Sequence, residues 1–320
     1  MSNSAEQSVV EYLDDACRKL FDLDRMDTLR LRHADLESEH IPLLTRTLRQ
    51  ATWLKQLEIY NCAKLGPDDI VQLCDTLKSN TQLWYISFAG LDFGNRGLAA
   101  LTQLLTARAT AGNNIDFLRL ENCLNSMRGA SSETDEQDTG YETIDTHVWE
   151  EFAAVACRTL RSLDLTRNRL FSDRHIPALV KGIGNKSEPC RLLSLIITDN
   201  PIGDDGMQGL CGAIQNNRTL TMLSCAECGL TDASNEYLLE ALRHNSSLRR
   251  VYIYGNKNST TNSTSEPWRF WLRLNANGRG LLEKDDGPSS LTPTILARVS
   301  SNDPTILHGL LKESARYFRS

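Results

Sequence analysis

Four groups of residues have types and spacings that could do chemistry. Cys225-Ala226-Glu227-Cys228 is a C-x-x-C; exposed as a thiolate pair it would exchange disulfides, and with a second pair of ligands at matching spacing it would hold zinc. No second C-x-x-C is present. Gly182-Ile183-Gly184-Asn185-Lys186-Ser187 has the residue types of a phosphate loop, but that loop needs G-x-x-x-x-G-K-[ST] opening a helix. Here the glycines follow an apolar helical run and read as its stop. The histidines, His33, His40, His147, His175, His244 and His308, show neither H-x-x-x-H nor H-E-x-x-H spacing, so no metal site is expected. The fourth group is the segment 126–146, where Ser131, Ser132, Thr134 and Tyr141 stand among carboxylates as possible phosphate acceptors.

Composition narrows the function classes. The chain has 320 residues, 40% hydrophobic, with a formal net charge of −6. It can bury a sizeable core, and its acidic balance gives no whole-protein attraction to nucleic acid or to an anionic membrane. Segment 126–146 carries Arg128 against Glu133, Asp135, Glu136, Asp138, Glu142 and Asp145, so most of the net charge sits there. It is expected to be a projecting acidic loop. The opening residues lack the basic and then apolar runs of a secretory signal, and no run of about 18 apolar residues suggests a membrane span. With an odd number of cysteines, nine, the reading is a soluble cytoplasmic protein with reduced thiols.

What positions all these residues is a repeat. The string L-x-x-L-x-L-x-x-N/C-x-L recurs eight times, with central pairs Leu29 and Leu31, Leu57 and Ile59, Ile86 and Phe88, and Leu118 and Leu120. It continues as Leu163 and Leu165, Leu195 and Ile197, Leu223 and Cys225, and Val251 and Ile253. The first members advance by 28, 29, 32, 45, 32, 28 and 28 residues, the long step holding the acidic insertion. Alternation with period two makes each string a strand with the central pair pointing inward. The ninth position, Cys62, Cys123, Asn168, Asn200, Cys228 or Asn256, falls where the chain turns. Cys225 and Cys228 thus occupy inward and turn positions, which favours packing over redox or zinc chemistry.

Between the strands the spacing becomes helical: Ile70, Leu73 and Leu77 follow Gly-Pro-Asp-Asp, and Met207, Leu210 and Ile214 follow Gly-Asp-Asp. A coil of one strand and one helix cannot bury both faces, so coils must stack and the ends must be covered. Residues 1–25, with Val9, Leu13, Cys17 and Leu20 at helical spacing, are expected to be an N-terminal helical cap. Residues 26–256 form the solenoid, and 257–320 a linker and C-terminal helical cap containing Trp268, Trp271, Leu272 and Leu274.

In LKQLEIYNCAKL, LRSLDLTRNRL and LLSLIITDNPIGDDGMQGL the repeats resemble the ribonuclease-inhibitor-like subfamily of leucine-rich repeat proteins. The resemblance implies an α/β horseshoe with parallel strands on the concave face and helices on the convex face. It leaves function open among inhibitors, sensors, GTPase activators and scaffolds. The C-terminal segment, with Leu272, Leu274, Asn275, Gly278 and Arg279, resembles that of uncharacterised leucine-rich repeat proteins of diatoms and related algae, and implies no activity.

Outward positions on the strands are the informative surface. Eight strands at about 4.8 Å give a strip of roughly 34 Å, enough for a protein interface of about 800 Å² per partner. Aromatic and arginine residues are the usual anchors of such surfaces. Arg30, Arg32, Tyr60, Tyr85, Phe117, Arg119, Glu121, Ile196, Tyr252 and Tyr254 are the candidate contacts, with Glu58, Asn61, Ser87, Asp164, Arg167, Met222 and Ser224 also expected outside. The expectation is a non-catalytic protein-binding scaffold or adaptor with a protein partner and no cofactor. The alternative is a regulator of an enzyme, such as a small-GTPase activator or ligase-complex adaptor, acting through the same face.

Overall fold

The computed structural model describes residues 15–16, 27–32, 36–62, 64–124, 144–171, 174–185, 187–257, 267–276 and 279. Eight parallel strands form one sheet in sequential order: β1 (Thr28–Arg32), β2 (Gln56–Tyr60), β3 (Tyr85–Ala89), β4 (Phe117–Glu121), β5 (Ser162–Asp164), β6 (Ser194–Ile196), β7 (Met222–Ser224) and β8 (Arg250–Tyr252). Helices α1 (Ile41–Gln50), α2 (Pro67–Leu77), α3 (Gly94–Thr110), α4 (Thr146–Thr159), α5 (Ile176–Ile183), α6 (Gly203–Asn216) and α7 (Ala233–His244) lie between successive strands, and α8 (Pro267–Ala276) follows β8. Each helix packs on the next one along the chain. The molecule is an α/β leucine-rich repeat solenoid, as the repeat pattern implies.

The register is that of the repeat. Leu29 stands opposite Leu57, Leu57 opposite Ile86, and the row continues through Leu118, Leu163, Leu195, Leu223 and Val251. These side chains and the apolar stripes of the helices make one continuous core. In β5 to β8 regular pairing covers only three residues, so Leu165, Ile197, Cys225 and Ile253 fall just past the strand ends. The bonding continues there nonetheless, with Leu165 N–H donating to Ile196 O at 2.8 Å and Cys225 N–H to Tyr252 O at 2.8 Å.

Two ladders of side chains hold coil to coil. At the ninth position, Asn200 donates from Nδ2 to Leu165 O at 2.9 Å, while its Oδ1 accepts the N–H of Asn168 at 3.0 Å and of Leu170 at 2.9 Å. Asn168 and Asn256 make the same kind of contacts. Where cysteine stands instead, its thiol donates, as Cys228 Sγ does to Ile197 O at 3.2 Å. A buried main-chain carbonyl costs free energy unless it finds a donor, and these side chains supply one at the turns where Asn or Cys stands; the third coil has Leu91 there instead. The second ladder runs past the helix C-termini: Asn80 Nδ2 donates to Ala51 O, Asn217 to Ile183 O, Asn245 to Asn217 O and Asn275 to Asn245 O. Arg108, only 2% exposed, does this work after α3, donating to Leu83 O at 2.9 Å and Asn113 O at 2.8 Å.

The histidines that the sequence left without a role include two with a shared structural one. His40 and His175, each followed by Ile-Pro, are buried, and their Nδ1 atoms accept the N–H of Glu37 at 3.0 Å and of Phe171 at 2.9 Å. They tie down the backbone before α1 and α5.

In α8, Trp268, Trp271, Leu272 and Leu274 are buried in the common core. Trp268 Nε1 donates to Asn235 Oδ1 at 3.1 Å, and Arg279 caps the end of α7 through Leu242 O at 2.8 Å while stacking on Trp271 at 4.5 Å. Most of the expected N-terminal cap, the acidic insertion up to residue 143, His33, and residues 280–320 lie outside the described residues.

Candidate protein-interaction face

The pleat sorts outward side chains into three columns across the sheet. The first contains Gln56, Tyr85, Phe117, Ser162, Ser194, Met222 and Arg250, and the second Arg30, Glu58, Ser87, Arg119, Asp164, Ile196, Ser224 and Tyr252. The third begins Arg32, Tyr60, Ala89 and Glu121, and Tyr254 lies near its far end. All the candidate strand residues are therefore on one face, though not in one place.

Arg32, Tyr60, Arg119 and Glu121 meet around a depression of about 550 Å³, together with Asn61, Ala89, Gly90, Asn122 and Arg167. Its cause is the composition of the third coil, whose outward residues Ser87, Ala89 and Gly90 are small while both neighbouring coils carry long side chains. Asn61, Gly90, Asn122 and Arg167 occupy the eighth repeat position, with φ of 56°, 68°, 52° and 61°. Asp199, Glu227 and Gly255 share that position and that backbone. The left-handed conformation thus belongs to the coil and not to a single strained site.

Charge is closely interleaved on this face. Arg30 holds Glu58 in a two-pronged contact, with Nη2 3.0 Å from Oε1, and Arg32 approaches the same carboxylate at 4.0 Å. Arg32 also lies over the Tyr60 ring at 5.3 Å. Arg119 pairs with Glu121 and reaches Asp164 at 3.4 Å, and Arg167 bridges Glu121 at 3.3 Å and Asp199 at 3.0 Å. Hydrogen bonding from Arg30 holds the Glu58 carboxyl below the usual carboxylate range, while burial raises the Tyr60 phenol. Around the depression three guanidinium groups and one carboxylate, Glu121, form the lining, while Glu58, Asp164 and Asp199 pair with the same arginines from beside it; planar guanidinium donors are suited to planar anions.

Tyr85 and Phe117 sit at the other end of β3 and β4, where Trp84 joins them with ring centroids 5.9 Å and 5.4 Å away. Ile196, Tyr252 and Tyr254 lie on the last three coils, apart from both groups. Ser131, Ser132, Thr134 and Tyr141 lie outside the described residues.

Three outward expectations are corrected. Glu58 is only 6% exposed because Arg30 and Arg32 fold over it. Ser87 is covered because its short side chain lies between Glu58 and Arg119. Ser224 is buried and shares a 2.9 Å hydrogen bond with Thr198. Trp84, Gly90 and Asn122 were not singled out as contacts. Recurrence of the eighth position could have revealed the last two; Trp84 precedes the strand and carries no positional signal.

The C-x-x-C is enclosed. Cys225 and Cys228 are fully buried, and burial pushes the Cys225 thiol far above its usual range and that of Cys228 up to about 11. Neither is a ready thiolate. Among the described residues no three His, Cys, Asp or Glu side chains converge as a metal site would require.

A family model described as "Leucine Rich repeat" matches residues 156–174 and 190–211. The chain is 24% identical over 257 residues to "NACHT, LRR and PYD domains-containing protein 14" of Homo sapiens, covering 76% of this chain and 23% of that protein. It is 25% identical over 244 residues to "Ribonuclease inhibitor" of Mus musculus, covering 71% of this chain and 51% of that one. The chain thus spans about half or less of the length of these relatives. Among solved structures, an internalin from Listeria monocytogenes aligns with a TM-score of 0.39 at 14% identity, over 78% of this chain and 67% of that one. The eight registered coils, their Asn and Cys turn ladder and the match to the repeat model show a leucine-rich repeat fold, and the chain is similar to ribonuclease-inhibitor-like proteins of that kind.

Proposed function

We propose that the chain is a non-catalytic protein-binding scaffold that engages its partner on the outer face of the sheet. The observation that carries this reading is where exposed apolar surface lies. Among the described residues the exposed large hydrophobic side chains are Phe117, Leu193, Tyr252 and Tyr254. All four stand on β4 or β8 or within two residues of β6 or β8, and none is on a helix. Phe117, Tyr252 and Tyr254 share the outward side of the sheet, and Leu193 stands at its edge before β6; exposed aromatic groups that share a face support reading it as an interaction surface. One relative is named for inhibiting an enzyme, which is itself recognition of a protein. No described helix is long and apolar enough to cross a membrane. The proposed place of action is the cytoplasm, a reading supported by the eight cysteines among the described residues, all buried with free thiols.

Site-specific photocrosslinking tests it. A photoreactive phenylalanine analogue is placed at Phe117 or Tyr252 on the sheet, or at Gln72 or Gln103 on the exposed side of α2 or α3, in cells or lysate of the source organism. Protein adducts are expected from the two sheet positions and not from the helix positions. Adducts from the helix positions alone, or from none of the four, would refute the proposal.

A further inference from the structure

On the reading that the sheet face binds protein, we propose that the two ends of β3 and β4 are paired docking seats for an extended segment of the partner carrying an apolar residue and an acidic residue four positions apart. The second seat follows from residue size. Where β3 ends, the outward positions shrink to Ala89 and Gly90, whereas β2 raises Tyr60 on one side and β4 raises Arg119 and Glu121 on the other. A depression is left there, separated from the start of the strand by the covered Ser87, and the two ends differ in chemistry.

At the end where β3 and β4 begin, Trp84, Tyr85 and Phe117 form an edge-packed aromatic group with Phe117 38% exposed. This offers a partner side chain an apolar seat. At the other end Arg32, Arg119 and Arg167 surround the depression, with Asn61 and Asn122 on its rim. Arg167 and Arg32 keep 62% and 54% of their side chains exposed despite their ion pairs, so an incoming carboxylate can approach the N–H edges of these guanidinium groups from solvent. The first and third outward columns are four residues apart along a strand, or about 13 Å at about 3.3 Å per residue. An extended segment lying across both seats covers that distance with side chains i and i+4 on the same side.

The charge pattern favours a polypeptide over a nucleic acid. Glu58, Glu121, Asp164 and Asp199 are interleaved with the arginines. A single carboxylate can sit among the guanidinium groups, but a phosphate chain would meet those acids at every step.

The test selects phage-displayed unstructured dodecapeptides on the full chain and measures synthetic hits by fluorescence polarisation. The expected consensus is an aromatic or large aliphatic residue and an Asp or Glu four apart, in either order. Phe117→Ser or Arg167→Glu should weaken these peptides at least about tenfold, and Arg167→Glu should gain binding to the same peptides carrying Lys for the acid. A basic consensus, or hits indifferent to both substitutions, would overturn the paired seats. If hits instead are lost in Tyr252→Ser and kept in Arg167→Glu, the paired seats are wrong while the scaffold reading stands. Hits indifferent to all three substitutions sink both. Binding of a uridine oligonucleotide that is lost with Arg167→Glu would overturn the proposal in favour of single-stranded RNA.

Discussion

The side-chain amide of Asn275 donates to the main-chain carbonyl of Asn245 at 2.9 Å, one coil after Asn245 donates in the same way to Asn217 at 2.7 Å. Asn275 also reaches Leu248 O at 2.8 Å. The helix after the last recognisable repeat therefore enters the ladder as a further half-coil, and two buried carbonyls depend on it. Replacing Asn275 by Ala should cost about 1–3 kcal/mol, the penalty for leaving buried polar groups unpaired. Removing residues 266–320 should cost more, because Trp268, Trp271, Leu272 and Leu274 leave the core as well. Urea denaturation of the three proteins checks this; equal midpoints would show that α8 does not cap the solenoid.

Arg108 is a buried cation with only carbonyl partners among its contacts, reaching Leu77 O at 3.5 Å and Thr81 O at 3.3 Å in addition to Leu83 O and Asn113 O. Burial lowers its pKa. A lysine ammonium has three donors at one point and cannot reach carbonyls spread around a planar guanidinium. Arg108→Lys should therefore destabilise by about 2 kcal/mol or more, and Arg108→Ala by a similar amount. If thermal or urea unfolding of Arg108→Lys matches that of the unaltered protein, charge alone and not the planar fork is what this coil needs.

The Arg30–Glu58 pair gives stability a pH dependence of known sign. Its carboxyl is held below the ordinary value of 4.5 in the folded chain, chiefly by the hydrogen bond from Arg30. The contribution is thus fully present above about pH 4.5 and is lost as the pH falls through and below that value. Arg30 is half exposed and Arg32 stays near Glu58, so Arg30→Ala should cost only about 1 kcal/mol at neutral pH. That difference should shrink as the pH falls below 4.5 and the carboxyl takes up its proton. Urea unfolding of both proteins across this range decides it, and a difference that grows on acidification would contradict the assignment.

Sequence alone determined the coil. Inward pairs such as Leu163 and Leu165 repeat with the period of a strand, Ile70, Leu73 and Leu77 with that of a helix, and Asn168, Asn200 and Asn256 mark each turn, because local backbone geometry fixes where such residues can face. The eight-stranded register follows, since each coil buries its faces only against the next. The three-dimensional structure decided what neighbouring coils do to one another. That Glu58 is covered by Arg30 and Arg32, that Ala89 and Gly90 leave a depression between longer neighbours, and that Asn275 continues a ladder begun at Asn80 all depend on residues about 26 to 32 apart in sequence meeting across one strand spacing. Alternation within a strand shows which way a side chain points. Whether it is then exposed depends on the lengths of the side chains beside it, and those are set by register.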